Sequence, residues 1–277
     1  MRIPILTYHA ANVAGSAYAD NDHVALAADL RLIDDLGWRI VPLDRVLDLL
    51  DSSVDEPATP FLAITFDDGT DLDVRPVDYP GHGRQPGFLP ILQGFQTWAG
   101  HRQPDLHATS FVIASPAARE AMDRLCLFGG DVMQEMWWKA ACDSGLIGIG
   151  NHSWDHNHEV APEAAPDGLP RGRFHAVDND IRATWQIARA QRYIEERISP
   201  HAVRHFGYPY GDVNAFLRDQ WLPANGPALG LRAAWSTEGH AARRGDNCWA
   251  LPRLVCGHHW RSPAQLKDLL GDAANDD

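Results

Sequence analysis

The sequence predicts an α/β fold in which βα units build a parallel sheet or barrel. Two observations carry that expectation. Short apolar runs rich in β-branched residues alternate with longer stretches of helical periodicity. Two polar clusters suited to chemistry, Asp67-Asp68-Gly69 and His152 to His156, each follow closely on one of those short runs. In parallel α/β folds, sites form at the carboxyl ends of the strands.

The elements follow in order along the chain. Residues 3–8 read as the first strand. Residues 24–36 and 43–50 carry apolar residues at helical spacing. Residues 61–66, 109–113 and 146–149 are the next strands, and 205–208, 233–236 and 251–255 the later ones. Residues 178–197 read as a long helix, and 263–270 as a terminal one with Ser262 as its N-cap. Two stretches break the rhythm. Residues 70–104 contain Pro76, Pro80, Gly81, Gly83, Pro86 and Gly87, and read as a long loop or insertion after the second strand. Residues 159–173 are rich in Pro, Ala and Gly. Loops of this length are functional rims and lids, or disordered insertions. Residues 271–277 form an acidic tail expected to fray. There is no internal repeat, and residues 1–277 are expected to form a single domain.

Composition narrows the function classes. Lys and Arg number 24 and Asp and Glu 37, so the formal net charge is −13. That balance argues against a nucleic-acid binder and against an anionic-membrane binder. No run reaches 18 apolar residues, so no membrane span is expected. The first residues lack a cleavable leader pattern, so the expectation is a cytoplasmic protein, or an extracytoplasmic one whose leader was removed. Cys126, Cys142, Cys248 and Cys256 show no CxxC spacing. They imply neither a zinc knuckle nor a disulfide framework, and are expected reduced and mostly buried. Nothing in the chain specifies an oligomeric state.

Asp67 and Asp68 stand where a strand ends, and adjacent residues on an extended chain point in different directions. One carboxylate can therefore ligate a metal while the other faces the reacting water. Taken alone, the tripeptide reads more simply as turn or N-cap chemistry. His152 and His156 are four apart, which on a helical turn places both imidazoles on one face and within reach of one cation. A surface helix offers the same spacing without a metal. Two His and one carboxylate leave coordination positions open, a geometry that suits Zn(II), Fe(II) or Co(II).

At this point the chain resembles a known family. Thr65-Phe66-Asp67-Asp68-Gly69 followed by His152-Ser153-Trp154-Asp155-His156 is similar to the first two motifs of the polysaccharide deacetylases, the NodB-homology domains of carbohydrate esterase family 4. Residues 5–9, 108–113 and 148–151 resemble that family's strands. Phe206-Gly207-Tyr208-Pro209-Tyr210-Gly211 resembles its third motif, and Leu251-Pro252-Arg253 the late Leu-Pro-Arg element of one branch. The likeness runs in the family's order over roughly residues 3 to 270.

The resemblance implies a deformed (β/α) barrel with one divalent metal at its carboxyl-end face, zinc first and cobalt or another ion next. Asp68, His152 and His156 would be the ligands and Asp67 the general base. The Tyr210 N–H would help hold the oxyanion, with Tyr208 and Trp154 on the substrate side. Many members carry in the third motif an Arg that orients the base. Gly207 holds that slot here, and Arg253 is the candidate replacement. No late Leu-x-His motif supplies the acid, so His258, then His259, are the substitutes. His9 either reaches the rim or is structural. Trp260, like Trp154, is a candidate sugar platform, whereas Trp137 and Trp138 are expected in the core. Asp155 and His158 are candidates to support the ligating imidazoles. Arg204 reads as a surface or substrate-side charge.

The expected function is metal-dependent removal of acyl groups, principally N-acetyl, from an amino-sugar polysaccharide or oligosaccharide. One alternative is hydrolysis of a small non-peptide amide or cyclic imide, favoured if residues 70–104 roof the barrel. Another is a catalytically inactive carbohydrate-binding barrel.

Overall fold

The computed structural model describes residues 1–51 and 59–274. Seven parallel strands make its centre: β1 (Ile5–Tyr8), β2 (Phe61–Phe66), β3 (Ala108–Val112), β4 (Ile147–Asn151), β5 (His205–Gly207), β6 (Ala233–Trp235) and β7 (Leu254–Val255). Their spatial order is β6-β5-β4-β3-β2-β1-β7, and a short strand at Arg39–Ile40 also pairs with β2. The two ends of this sheet approach each other. Leu251 N–H donates to Ala234 O (2.9 Å) and Ser236 N–H to Leu251 O (2.7 Å), joining β6 to the segment before β7. Pro252 lacks an N–H and interrupts that segment, so the ring closes through a broken last strand. The result is the deformed barrel expected from the sequence.

Alternation along the strands sorts their side chains. Leu6, Tyr8, Leu62, Ile64 and Phe66 belong to the large cluster shared with the surrounding helices. Ile5, Ala63, Phe111 and Trp235 belong to a second cluster with Leu43, Val46 and Leu49 of α2 (Leu43–Leu50). Inward positions then turn polar toward the carboxyl ends. Ile5 and Ala63 give way to Thr7 and Thr65, whose hydroxyls lie 2.9 Å apart, and then to His9 and Asp67. The barrel is therefore apolar at its base and polar at its mouth.

The helices largely match expectation. α1 (Asp22–Asp35) begins two residues early because Asn21 caps it, accepting from the N–H groups of His23 and Val24. The expected loop 70–104 needs correction. Only residues 70–87 form an excursion, with a short hairpin of Val77–Tyr79 against Gly83–Gln85. Phe88–Ala99 is α3, the crossover between β2 and β3. Pro90 sits in its first turn, where a missing N–H costs nothing, and Gly94 lies further in; both obscured its periodicity. α4 (Pro116–Cys126), capped by Ser115, and the short α5 (Trp138–Asp143) follow.

The long helix is α6 (Asp180–Ala183), a π-helical turn at Thr184–Ala188, and α7 (Arg189–Ile198). A second π-helical turn, Leu217–Trp221, runs into α8 (Leu222–Asn225), and α9 (Pro263–Ala274) ends the described chain. The Ser262 hydroxyl accepts from the Gln265 N–H (3.2 Å), as an N-cap does. Of the expected acidic tail, residues 271–274 belong to α9 and residues 275–277 lie outside the described residues. Among the described residues, no helix is long and apolar enough to cross a membrane.

Beneath the mouth, Asp29 of α1 accepts from Tyr8 Oη (2.9 Å), Tyr18 Oη (2.6 Å) and Trp260 Nε1 (3.2 Å). Burial pushes its carboxyl from 3.8 up to about 6, despite those donors. The folded protein thus holds this proton more tightly than the unfolded chain. The resulting stabilisation is present below pH 4 and lost as pH rises through 6, about 3 kcal/mol in all. Between pH 5 and pH 8, urea unfolding should show wild type losing about 1.4 kcal/mol more stability than Asp29→Asn does, roughly half of the total; parallel pH dependences would contradict it.

Candidate active site

A cavity of about 500 Å³ opens at the carboxyl ends of the strands. It is walled by Asp67 and Asp68 after β2, His152 and His156 after β4, Tyr210 after β5, Thr237 after β6, His258 after β7 and His9 after β1. Residues spread over 250 positions in the chain are thereby brought to one mouth.

The Asp-Asp-Gly turn is shaped by backbone strain. Asp68 and Gly69 both have positive φ, +75° and +69°. A Cβ on Gly69 would lie 2.8 Å from Val112 Cα, so only glycine lets the turn pack on β3. The turn sends the two carboxylates apart, as alternation predicts. Asp68 faces the imidazoles, its Oδ1 3.7 Å from His152 Nε2 and 3.6 Å from His156 Nε2. Asp67 turns inward, where Arg253 meets it in a two-pronged pair: Nη1 to Oδ1 at 2.7 Å and Nη2 to Oδ2 at 2.9 Å.

Arg253 is wholly buried, and also donates to Ser236 O (3.0 Å) and Thr65 Oγ1 (3.2 Å). Burial pushes the Asp67 carboxyl up, but the Arg253 guanidinium outweighs it and holds the group well below the usual carboxylate range. Asp67 is therefore ionised. Nearby Asp73 is buried behind Ser110, which donates to it at 2.6 Å, and burial raises its carboxyl, reinforced by the charge of Asp68.

The empty slot at Gly207 has a steric reason. A Cβ there would lie 2.8 Å from Cγ of Phe111, whose ring carries the Arg253 guanidinium at 5.1 Å. Phe111 thus occupies the space beside Gly207, and the cation reaches Asp67 from the segment leading into β7 instead.

The His pair does not sit on a helical turn, contrary to the spacing argument. Residues 152–157 form a loop in which Ser153, His156 and Asn157 have positive φ. Short polar side chains build it. Asn151 Oδ1 accepts from Ser153 N–H (2.8 Å), Ser153 Oγ from His156 N–H (2.9 Å) and Asp155 Oδ1 from Asn157 N–H (3.0 Å). The π-helical turn at 184–188 contributes the Gln186 carbonyl, which accepts from Trp154 N–H (2.7 Å).

The expected long loop 159–173 is a buttress. Arg171 pairs with Asp155 (2.6 Å), and Asn157 donates to Pro170 O and Arg173 O, each at 2.7 Å. Asp155 therefore holds the loop's shape with Arg171 and Gln186, and does not bond an imidazole.

His152 Nδ1 lies 2.8 Å from Gly207 O. A carbonyl only accepts, so Nδ1 carries the proton and Nε2 presents its lone pair toward Asp68. His156 is buried, its Nδ1 without a partner among the described residues. Burial lowers both imidazoles from their ordinary value, leaving them neutral, the form that ligates metals. Ligand atoms of Asp68, His152 and His156 all lie within 4.8 Å of one another. A hard oxygen and two borderline nitrogens converging in this way fit a divalent first-row ion such as zinc or cobalt.

Other expected site residues divide. Tyr210 stands at the mouth, its ring 4.3 Å from that of His156, in a left-handed backbone conformation with φ +60°. His258 is exposed on the wall, while His259 turns away, its Nδ1 accepting from Val255 N–H (2.8 Å). His158 also lines the cavity, 4.0 Å from Cys126 Sγ.

Three aromatic candidates are corrected. Tyr208 is fully buried and donates to Trp249 O (2.8 Å), because alternation turns it away from the mouth. Trp154 packs with Trp185 and Tyr193 beneath Arg189. Trp260 packs on Tyr8. None of the three lines the cavity. Trp137 and Trp138 are core, as expected, and Arg204 is a surface group 3.7 Å from Asp44. The cysteines carry no disulfide among the described residues, but only Cys256 is buried; Cys126 and Cys248 are exposed.

Sequence reasoning missed one wall altogether. Met122, Cys126, Leu127 and Met133 face the cavity from α4 and the loop after it. Apolar residues at a helix end look like ordinary core in one dimension, so no signal marked them. The proposed roof is also corrected. Of residues 70–104 only Thr70 touches the cavity. The hairpin braces residues 11–21 instead, through Tyr79 Oη to Ala11 O (3.2 Å) and Asn21 Nδ2 to Gln85 Oε1 (2.9 Å).

Parallel strands curled into a barrel, with an Asp/His/His cluster at their carboxyl ends, define the class as NodB-type barrels. The chain belongs to the polysaccharide deacetylase family, whose model matches residues 55–221. The fold is similar to that of the Streptococcus pyogenes deacetylase PplD in complex with acetate, with 17% identity, a TM-score of 0.63 and coverage of 97% of this chain and 98% of that one. IcaB from Ammonifex degensii is similar at 20% identity and TM-score 0.64, over 99% and 97% of the two chains. A de-N-acetylase from Aggregatibacter actinomycetemcomitans is similar at 17% identity and TM-score 0.61, over 97% and 100%. No curated protein sequence matches the chain.

Proposed function

We propose that this protein is a metal-dependent hydrolase that removes N-acyl groups from an amino-sugar polysaccharide or oligosaccharide. The observation that carries the reading is the convergence of Asp68, His152 and His156 on one point beside an ionised, Arg-paired Asp67. Membership of the deacetylase family and likeness to a structure described as a de-N-acetylase support amide-linked acetyl as the first substrate class.

Asp68, His152 and His156 would hold the ion. When bound, a divalent ion supplies Lewis acidity, lowering the pKa of water toward 7 and polarising the acyl carbonyl. Asp67 takes the proton of the attacking water as its oxygen bonds to the carbonyl carbon. Arg253 keeps Asp67 ionised and aimed, which makes it a positioning residue. The Tyr210 N–H donates to the oxyanion. His258 delivers a proton to the amine nitrogen as the C–N bond breaks, so the products are a carboxylate and a free amino sugar.

The small-amide reading loses its main support, since residues 70–104 do not roof the mouth. The binding-only reading leaves the Asp67–Arg253 pair without a use. Purified protein should release acetate from acetylated chitooligosaccharides, lose that activity on chelation and regain it with zinc or cobalt. Tightly bound metal with no acetate released would overturn the substrate assignment.

A further inference from the structure

Resting on the deacylase reading, we infer that the cavity accepts an acyl group longer than acetyl, a chain of about butanoyl length. That chain lies against the end of α4, with the sugar toward the His9 and His258 side. The same cavity that holds the Asp/His/His cluster is lined by Met122, Cys126, Leu127 and Met133, and Cys126 Sγ lies 4.0 Å from His158 Nε2, whose ring is 6.2 Å from that of His156. An acetyl group offers a single methyl, which cannot cover four such side chains.

The wall is joined to the main core through Leu127, yet its methionines group apart from that core. Met122 and Met133, with Ile113, form an apolar cluster separate from the two that hold the barrel, and Leu127 and Val160 pack against it. It is also preformed. The Asp123 carboxylate accepts from the N–H groups of Asp131 (3.0 Å) and Val132 (3.3 Å), and Arg119 Nη1 donates to Met133 O (2.7 Å). Asp71 N–H donates to Val132 O (2.7 Å), tying this loop to the turn that carries Asp68. A fixed backbone bearing two unbranched, polarizable methionines suits flexible aliphatic chains.

The adjoining hollow differs in character. The cavity shares His9, Ala11, Val255 and His258 with this second hollow of about 580 Å³, which is also lined by the exposed Asn12 and Asp20. Amide and carboxylate groups there suit the hydroxyls of a sugar. An amide with an apolar acyl arm and a polar amine arm fits both sides at once.

The test compares N-acetyl- and N-butanoyl-chitotriose as substrates of the metal-loaded protein. Burying two further methylenes is worth about tenfold in kcat/KM, so butanoyl should lead by about that factor. Met133→Gln and Leu127→Trp, one making the wall polar and the other filling it, should each bring the ratio below about threefold. A clear acetyl preference, or a ratio that neither substitution moves, overturns the inference. Calorimetry on the chelated protein separates this result from failure of the deacylase reading. With no hydrolysis of either compound, tighter butanoyl binding that the two variants abolish sustains the wall and overturns the activity; equal binding overturns both.

Discussion

Asp67→Asn is expected to lower turnover at least about a hundredfold while the protein keeps one bound metal ion per chain. The amide is nearly isosteric but cannot take a proton from water. It retains an oxygen for one arm of Arg253, while its NH2 faces the other arm, donor against donor, so some stability is lost as well. The metal should stay because Asp68, His152 and His156 do not include this carboxylate. Steady-state rates and elemental analysis of the same sample check both halves. Unchanged turnover would remove the base from Asp67, and loss of the metal would make Asp67 a ligand.

Arg253→Leu carries the second large effect, chiefly on stability. The guanidinium is completely enclosed and makes four hydrogen bonds, two of them to Asp67. Removing one partner of a buried pair typically costs 3–5 kcal/mol, about the same here, because the remaining charge stays buried without compensation. Activity should fall with it if Asp67 is the base, since that carboxylate loses both its orientation and the cation that keeps it ionised.

A double-mutant cycle distinguishes this account from simple loss of packing. In an Asp67→Asn background, Arg253→Leu should cost markedly less than in wild type, by about 1 kcal/mol or more. Additive costs would mean that the pair is not coupled. Adding Gly207→Arg should not rescue Arg253→Leu, because Phe111 already fills the adjacent space. Rescue would show that ring to be displaceable.

These two residues also show what one dimension conveys and what it withholds. Asp67, Asp68, His152 and His156 were legible because each cluster ends an apolar strand run, and strand ends of parallel sheets converge. The pairing of Arg253 with Asp67 was open in the sequence, since 186 positions separate them; ring closure through Leu251 brings them together. The His spacing pointed to the right pair through the wrong geometry. A loop of side-chain-capped turns, with three left-handed residues, replaces the helical turn.

Aromatics were the least readable. Trp154, Tyr208 and Trp260 sit next to site residues in sequence, yet alternation and tight turns send their rings into the core. The helix at Phe88–Ala99 was hidden by Pro90 and Gly94, which are harmless where they fall. The apolar wall of Met122, Leu127 and Met133 had no one-dimensional signature, since a core face and a cavity face look alike until the fold sets what lies opposite.

The central claim is that one divalent ion sits between Asp68, His152 and His156. Anomalous diffraction at the zinc edge, from crystals of the zinc-loaded protein, tests it directly. The account predicts one strong peak about 2 Å from one Asp68 oxygen and from Nε2 of both His152 and His156. A peak at the Cys126–His158 pair, or none at the Asp/His/His cluster, would contradict it.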